Sequence, residues 1–167
     1  MTSTEQRAPL PDETDGEARA RHALTDLGLN GEIRRHGRVS SLAEAAAARG
    51  VAPGSLIKTM VVRRAEGDYV LVLVPGDRQI SWPKLRTLLG VNRLSMPDAE
   101  TAKEATGYER GTITPLGARG GWPVIADNRV QGEISIGGGG HGVGITVLAD
   151  ELVSALAATR ADVTDPE

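Results

Sequence analysis

The 167-residue chain contains no cysteine and no phenylalanine. The first absence excludes disulfides, thiolate-ligated zinc, iron–sulfur clusters and a thiol nucleophile together. Aromatic residues make up only 2% of the sequence, namely Tyr69, Trp82, Tyr108 and Trp122. That is too few for a protein that stacks many unpaired bases on aromatic rings. An excess of positive charge is lacking as well. Nineteen Lys and Arg stand against 22 Asp and Glu, a net charge of −3. A protein coated for nucleic acid on all sides is excluded, while a local basic patch stays open. No run approaches the roughly 18 apolar residues that a membrane-spanning helix needs. Met1 to Pro11 has no apolar segment of the kind that directs secretion. The expectation is a soluble cytoplasmic protein with neither membrane nor DNA as partner.

What is present is globular. Hydrophobic residues account for 40% and charged residues for 25%, near the averages of roughly 45–50% and about 25%. The length predicts a single domain, placed at 15–158, between a disordered tail at 1–14 and a polar, frayed tail at 159–167. Twenty-one glycines make up about 13% of the chain against a typical 7%. They concentrate in two stretches, Gly107 to Gly121 and Gly137 to Gly142.

The coarse pattern alternates helices and strands without a regular βαβ period. Asp15 is expected to cap a helix running to about Leu27, with Ala20, Ala23, Leu24 and Leu27 at helical spacing. A short strand is expected at Ile33 to His36. Ser41 and Glu44 have capping-box spacing ahead of an alanine helix that Gly50 ends. The apolar runs Leu56 to Val62 and Tyr69 to Val74 predict an antiparallel hairpin. Further helices are expected from Ser81 to Gly90, with Pro83 in the first turn, from Asp98 to Ala105, and from Asp150 to Ala158. Short strands are expected at Val124 to Ala126, Glu133 to Ile136 and Ile145 to Leu148. This mixture predicts an α/β mixed sheet or small barrel rather than a doubly wound nucleotide fold.

Few motifs are specific on their own. Gly137-Gly-Gly-Gly-His-Gly142 formally contains G-x-G-x-x-G, but a β-rich segment follows where the dinucleotide fingerprint needs a helix. It reads either as a glycine loop between strands or as a backbone wall that a substrate can approach, since glycine has no Cβ. The three histidines, His22, His36 and His141, have no metal-ligand spacing, so no metal is expected. His22 falls on a surface helix. His36 sits in the basic run Arg34-Arg35-His36-Gly37-Arg38, either a solvated face or a phosphate contact. His141 lies inside the glycine loop. Lys58 interrupts an apolar run and reads either as a surface strand position or as a fixed charge aimed at a phosphate or carbonyl oxygen. No Ser/His/Asp spacing points to a nucleophile.

The stretch Ala105-Thr-Gly-Tyr-Glu-Arg-Gly-Thr-Ile-Thr-Pro-Leu-Gly117 resembles the signature loop of the YbaK/prolyl-tRNA-synthetase-associated editing domain family, whose Gly-x-x-x-Pro is here Gly111 to Pro115. Ile57-Lys58-Thr59 resembles the family's lysine-bearing strand. Pro123-Val-Ile-Ala-Asp127, Ile136-Gly-Gly-Gly and Gly142-Val-Gly-Ile resemble its C-terminal half. The resemblance covers roughly Leu24 to Leu156. It implies a mixed, largely antiparallel sheet curled into a barrel with helices packed outside. It implies a free-standing, trans-acting aminoacyl-tRNA deacylase that hydrolyses the ester of mischarged tRNA, of the Cys-tRNA(Pro) or Ala-tRNA(Pro) kind, without a cofactor. Lys58 and Gly111 would be catalytic: Lys58 anchoring the 3′-terminal nucleotide, and Gly111, in the loop that Pro115 stiffens, leaving room for backbone N–H groups at the carbonyl. Thr59, Thr112, Ile113, Pro115, Asp127, Gly138, Gly139 and His141 would contact substrate. The partners implied are the tRNA acceptor end and prolyl-tRNA synthetase or an elongation factor. Arg34, Arg35, Arg38, Arg63 and Arg64 are the available phosphate contacts, through which binding should fall with salt. Family members often carry Lys or Arg where this chain has Gly140-His141, and a bulky aromatic where it has Ser41. The alternative is a non-catalytic adaptor of the same fold that binds aminoacyl-adenosine or an amino acid.

Overall fold

Helix α1 (Asp15–Asp26) begins one residue earlier than its sequence signal. Thr14, not Asp15, is the cap. Its hydroxyl accepts from the Glu17 amide at 3.2 Å and the Glu17 carboxylate accepts from the Thr14 amide at 2.9 Å, a complete capping box. The structure is a computed structural model that describes residues 10, 13–37 and 39–167. Most of the expected N-terminal tail, and Arg38, lie outside the described residues. Strand β1 (Glu32–Arg35) leads to α2 (Leu42–Ala48), where Ser41 caps the Glu44 amide as expected. The Glu44 carboxylate reaches back one residue further than a capping box requires, to the amide and hydroxyl of Ser40.

A single 3-10 turn (Pro53–Ser55) precedes the hairpin of β2 (Ile57–Ala65) and β3 (Asp68–Pro75). Then come β4 (Arg78–Ile80), α3 (Trp82–Leu89), α4 (Ala99–Thr106), β5 (Val124–Asp127), β6 (Glu133–Gly137), β7 (Val143–Leu148), α5 (Ala149–Ala155), β8 (Thr159–Ala161) and β9 (Thr164–Pro166). Both α3 and α4 stop where glycine takes a left-handed φ, 67° at Gly90 and 80° at Gly107. α5 ends earlier than its apolar spacing suggests, because Ala157 adopts a φ of 51°.

Among the described residues the strands form three sheets, ordered β1-β7-β6, β2-β3-β5-β8 and β4-β9. Pairing is antiparallel except at β3–β5 and β5–β8. The mixed α/β, largely antiparallel character expected from the sequence is therefore present. The barrel is not: among the described residues no sheet closes on itself. β2 and β6 pack against each other but share no ladder; the backbone pairing beside them is an isolated parallel bridge, Leu56–Ser135, just before β2. The other edge of β3 takes β5 in parallel, and β5 takes β8, so the sheet extends outward instead of curling shut.

Alternation along β2 and β3 divides the interior. Ile57, Val61, Leu71 and Leu73 join Ala20, Leu24, Leu116, Ile134, Ile136, Ile145 and Leu152 in one core. Val62, Val70, Val72 and Val74 join Leu85, Ile125 and Val163 in a second. Because β3 is covered on both faces, it reads as an unbroken apolar run rather than an alternating one. Residues 159–167, expected to fray, contribute β8 and β9. Val163 between them is fully buried, and its carbonyl accepts from the Ser81 amide at 2.8 Å. Among the described residues no helix is long and apolar enough to cross a membrane.

Candidate functional site

The loop from Gly107 to Gly117 is held from inside. Tyr108 is 1% exposed and donates its hydroxyl to the Leu116 carbonyl at 2.5 Å. This closes an eight-residue span around Gly111 to Pro115. The Arg19 guanidinium sits 4.5 Å from the Tyr108 ring centroid and donates to the Gly107 carbonyl at 2.6 Å. Burial pushes the Tyr108 pKa up to about 12 against the opposing pull of Arg19, so the hydroxyl remains a donor at neutral pH. Within the span, the Thr112 amide and hydroxyl both donate to the Glu109 carbonyl, at 2.9 and 2.7 Å. Thr112, Thr114, Pro115 and Leu116 are buried, Ile113 is half-buried and Gly111 is exposed. Gly111 has a φ of 87°, which an L side chain rarely adopts. Among the described residues, the Gly111 and Ile113 amides donate to no acceptor.

The loop lies against the end of β6 at a glycine. A Cβ on Gly137 would stand 2.6 Å from the Ile113 carbonyl oxygen, so a larger residue there would push the loop away. Lys58 and Gly137 each lie two residues beyond the Leu56–Ser135 bridge, on strands running in parallel. The lysine-bearing strand and the loop thus approach each other where the two sheets adjoin. Lys58 shares its strand face with Met60 and Val62, and its Nζ donates to the Arg78 carbonyl at 2.8 Å, 3.6 Å from a Glu167 carboxylate oxygen. Thr59 faces the opposite way, and its hydroxyl oxygen is buried without a partner.

On the far side of the loop is a cleft of about 650 Å³, lined among others by Asp15, Arg19, Glu109, Thr112, Gly139 and His141. His141 is exposed, with its Nε2 3.6 Å from a Glu109 carboxylate oxygen. A Cβ on Gly111 would lie 3.6 Å from the His141 ring. The structure therefore brings Gly111, Thr112, Gly139 and His141 together. Lys58 does not line this cleft, and neither does Asp127.

The glycine stretch turns out to serve the chain's own packing. A Cβ on Gly138 would meet Val143 at 2.5 Å, one on Gly139 the Gly16 carbonyl at 2.3 Å, and one on Gly140 the Glu17 carboxylate at 2.5 Å. The bare backbones of Gly139 and Gly140 admit the start of α1, which then walls the cleft, while Gly138 makes room for Val143. Asp127 is fully buried and accepts from the amides of Arg129 and Val163, both at 3.0 Å. It fastens β5 to the segment that leads into β9.

The basic run is largely paired. Arg35 forms a 2.9 Å ion pair with Glu17 and Arg34 a 3.3 Å pair with Glu32. His36 receives the Arg49 Nε at 3.3 Å. His22 is half-buried rather than solvated, its Nε2 shielded without a partner. Sequence reading missed Glu109 and Arg49. Arg49 follows α2 and spreads over Gly144, where no side chain blocks it. Its Nη1 lies 3.5 Å from the Ser135 hydroxyl and the Ile136 carbonyl, and burial lowers its pKa. A lone arginine after an alanine run carries no spacing signal that singles it out. Among the described residues no three His, Asp or Glu are grouped to hold a metal ion.

Comparison with known proteins follows the same outline. The model of the aminoacyl-tRNA editing domain matches residues 36–155. Proline–tRNA ligase of Desulfotalea psychrophila is 35% identical over 120 residues, covering 69% of this chain and 20% of the ligase. That of Bacillus licheniformis is 32% identical over 112 residues, 64% of this chain and 19% of the ligase. The chain thus spans about a fifth of the length of these relatives. A crystal structure of a candidate trans-editing enzyme for prolyl tRNA synthetase superposes with a TM-score of 0.82 at 25% identity, covering 91% of this chain and 98% of that one.

Proposed function

Since the chain belongs to the aminoacyl-tRNA editing domain family, we propose that it is a trans-acting deacylase that hydrolyses the ester linking a wrong amino acid to tRNA, of the Ala-tRNA(Pro) or Cys-tRNA(Pro) kind. The observation that carries this reading is the loop. Gly111 to Pro115 is clamped by Tyr108 and laid against Gly137, beside the start of the lysine-bearing strand. Three of its amides, those of Gly111, Ile113 and the buried Thr114, have no acceptor among the described residues, and those of Gly111 and Ile113 lie at its less buried positions.

An aminoacyl ester is already activated, so hydrolysis needs little beyond placement of water and stabilisation of the oxyanion. Water adds to the carbonyl carbon, the carbonyl oxygen gains charge, and the ester bond to the ribose breaks, releasing the amino acid and a ribose hydroxyl. The Gly111 and Ile113 amides are the donors for that charge; one such donor is worth about 2.7–4 kcal/mol. Lys58 anchors the 3′-terminal nucleotide once it exchanges the Arg78 carbonyl and Glu167 for a phosphate. His141, exposed beside Gly111, is placed to contact the aminoacyl end from the cleft. Thr112, Ile113 and Pro115 shape that end of the site. Gly139 acts by admitting α1 and Gly138 by admitting Val143, and Asp127 and Thr59 act through the strands that carry them.

The test compares wild type with Lys58→Ala and Gly111→Ala on mischarged tRNA. Both variants should lose at least tenfold in kcat/KM, about 1.4 kcal/mol. Full activity in both overturns these assignments. Binding of aminoacyl-adenosine with no turnover by wild type would favour the adaptor reading instead.

A further inference from the structure

We propose that the arginine-walled cleft at the other end of β2 docks the sugar–phosphate backbone of the tRNA acceptor arm; this rests on the deacylase reading above. The cleft measures about 740 Å³ and is lined by Arg63, Arg64, Glu66, Arg86, Arg93 and Ser95, among others. Its four guanidinium groups come from three segments: the end of β2, the last turn of α3 and the stretch that follows α3. They are tied together rather than merely adjacent. Arg63 and Ser95 exchange backbone hydrogen bonds at 2.8 and 3.2 Å, and the Arg63 Nε donates to the Ser95 hydroxyl at 3.1 Å. A register shift between Arg63 and Ala65 bends the strand at this point.

The charge is only partly balanced locally. Arg64 pairs with Asp68 at 2.8 Å, and the nearby Asp98 carboxyl, held below its usual range by the Thr101 amide, is lowered further by the Arg63 charge. Arg86 and Arg93 have no carboxylate within ion-pair distance among the described residues. Glu66 is the one acidic residue of the lining. A chain with net charge −3 that gathers four arginines around one opening creates a local field for an anion. Guanidinium forks match phosphate oxygens two by two. The lining carries no aromatic ring, so it suits the backbone rather than unstacked bases.

The position fits the acceptor arm. Lys58 and Arg64 lie six residues apart on one strand, or about 20 Å at a strand rise of roughly 3.4 Å. That is the rise of about six stacked nucleotides. With the terminal ribose at Lys58, phosphates arriving at the cleft lie at the root of the single-stranded 3′ end, where the stem begins.

The test uses the double variant Arg86→Gln/Arg93→Gln and two substrates, a full mischarged tRNA and the same amino acid esterified to a CCA trinucleotide. On the full tRNA, kcat/KM should fall tenfold or more through KM. The slope of log kcat/KM against log salt should become shallower by about 1.4–1.8 for two lost phosphate contacts. The trinucleotide ester should be cleaved as by wild type, and Arg86→Lys/Arg93→Lys should recover most of the loss. Equal activity and an equal salt slope on full tRNA overturn the inference, as does an equal loss on both substrates. If wild type cleaves neither ester, the deacylase reading fails. Salt-dependent binding of uncharged tRNA, compared between wild type and the double variant, then decides the docking site on its own.

Discussion

Replacing Tyr108 by Phe isolates one hydrogen bond in the loop. The ring stays in its buried slot, and the Arg19 guanidinium keeps its place 4.5 Å above it. Only the hydroxyl is lost, and with it the 2.5 Å bond to the Leu116 carbonyl. Leu116 is fully buried, so water cannot replace the donor without entering the core. An unsatisfied buried acceptor costs about 1–3 kcal/mol, against a net 0.5–1.5 kcal/mol for an ordinary exchanged hydrogen bond. We therefore expect a loss of 1–3 kcal/mol in urea unfolding, read as a lower midpoint at unchanged m. The same bond sets the spacing of the Gly111 to Pro115 turn. Small displacements of positioning groups can cost on the order of a hundredfold in rate, so deacylation should fall at least tenfold at temperatures where the variant is fully folded. A stability change below about 0.3 kcal/mol together with an unchanged rate would refute the view that Tyr108 holds the loop; changes that small are ordinary for surface substitutions, which stay within ±0.5 kcal/mol.

Asp127→Ala removes the acceptor of two amides at β5 and before β9; thermal unfolding should show a loss of at least about 2 kcal/mol, larger than for Asp150→Ala on the surface. Acid should destabilise the chain. The Glu13 carboxyl is held below its usual range by Arg21, that of Glu44 by Ser40, that of Asp98 by the Thr101 amide and that of Asp162 by Arg129 and Lys84. Depressed carboxyl values mean that the unfolded chain takes up protons first. Stability is complete above about pH 4.5 and declines as pH falls through and below 4. A melting temperature that is flat from pH 6 to pH 3 would contradict these pairings.

Local signals were legible where one residue sets a geometry. Ser41 and Ser81 cap the helices they were expected to cap, Asp98, expected as the first residue of its helix, is its cap, and Gly90 and Gly107 end the last two. The β2–β3 hairpin was legible because its apolar runs flank a short polar turn. β8 and β9 were not. Thr159-Arg160-Ala161 and Thr164-Asp165-Pro166 are mostly polar edge segments, from which Ala161, Val163 and the Thr164 side chain reach the interior. Their order comes from pairing with β5 and β4, which spacing along the chain does not encode. The open sheet was equally hidden, because closure depends on whether β2 and β6 stay paired beyond Leu56 and Ser135. In the site, the loop was legible from Gly111 and Pro115 together. Of the two readings of the glycine stretch, the loop between strands is what the fold displays, and its bare backbones answer to Gly16, Glu17 and Val143, which no local pattern encodes. The cleft arginines lie up to 30 residues apart (Arg63 to Arg93), so no window on the sequence reveals them as a group.

The central claim is that this chain cleaves the ester of a wrongly charged tRNA. The most direct measurement is the first-order decay of Ala-tRNA(Pro), Cys-tRNA(Pro) and correctly charged Pro-tRNA(Pro) under excess wild-type protein. Rapid loss of a mischarged species, with Pro-tRNA(Pro) decaying only at its spontaneous rate, is the predicted result. Spontaneous decay of all three, with or without added prolyl-tRNA synthetase, would contradict it.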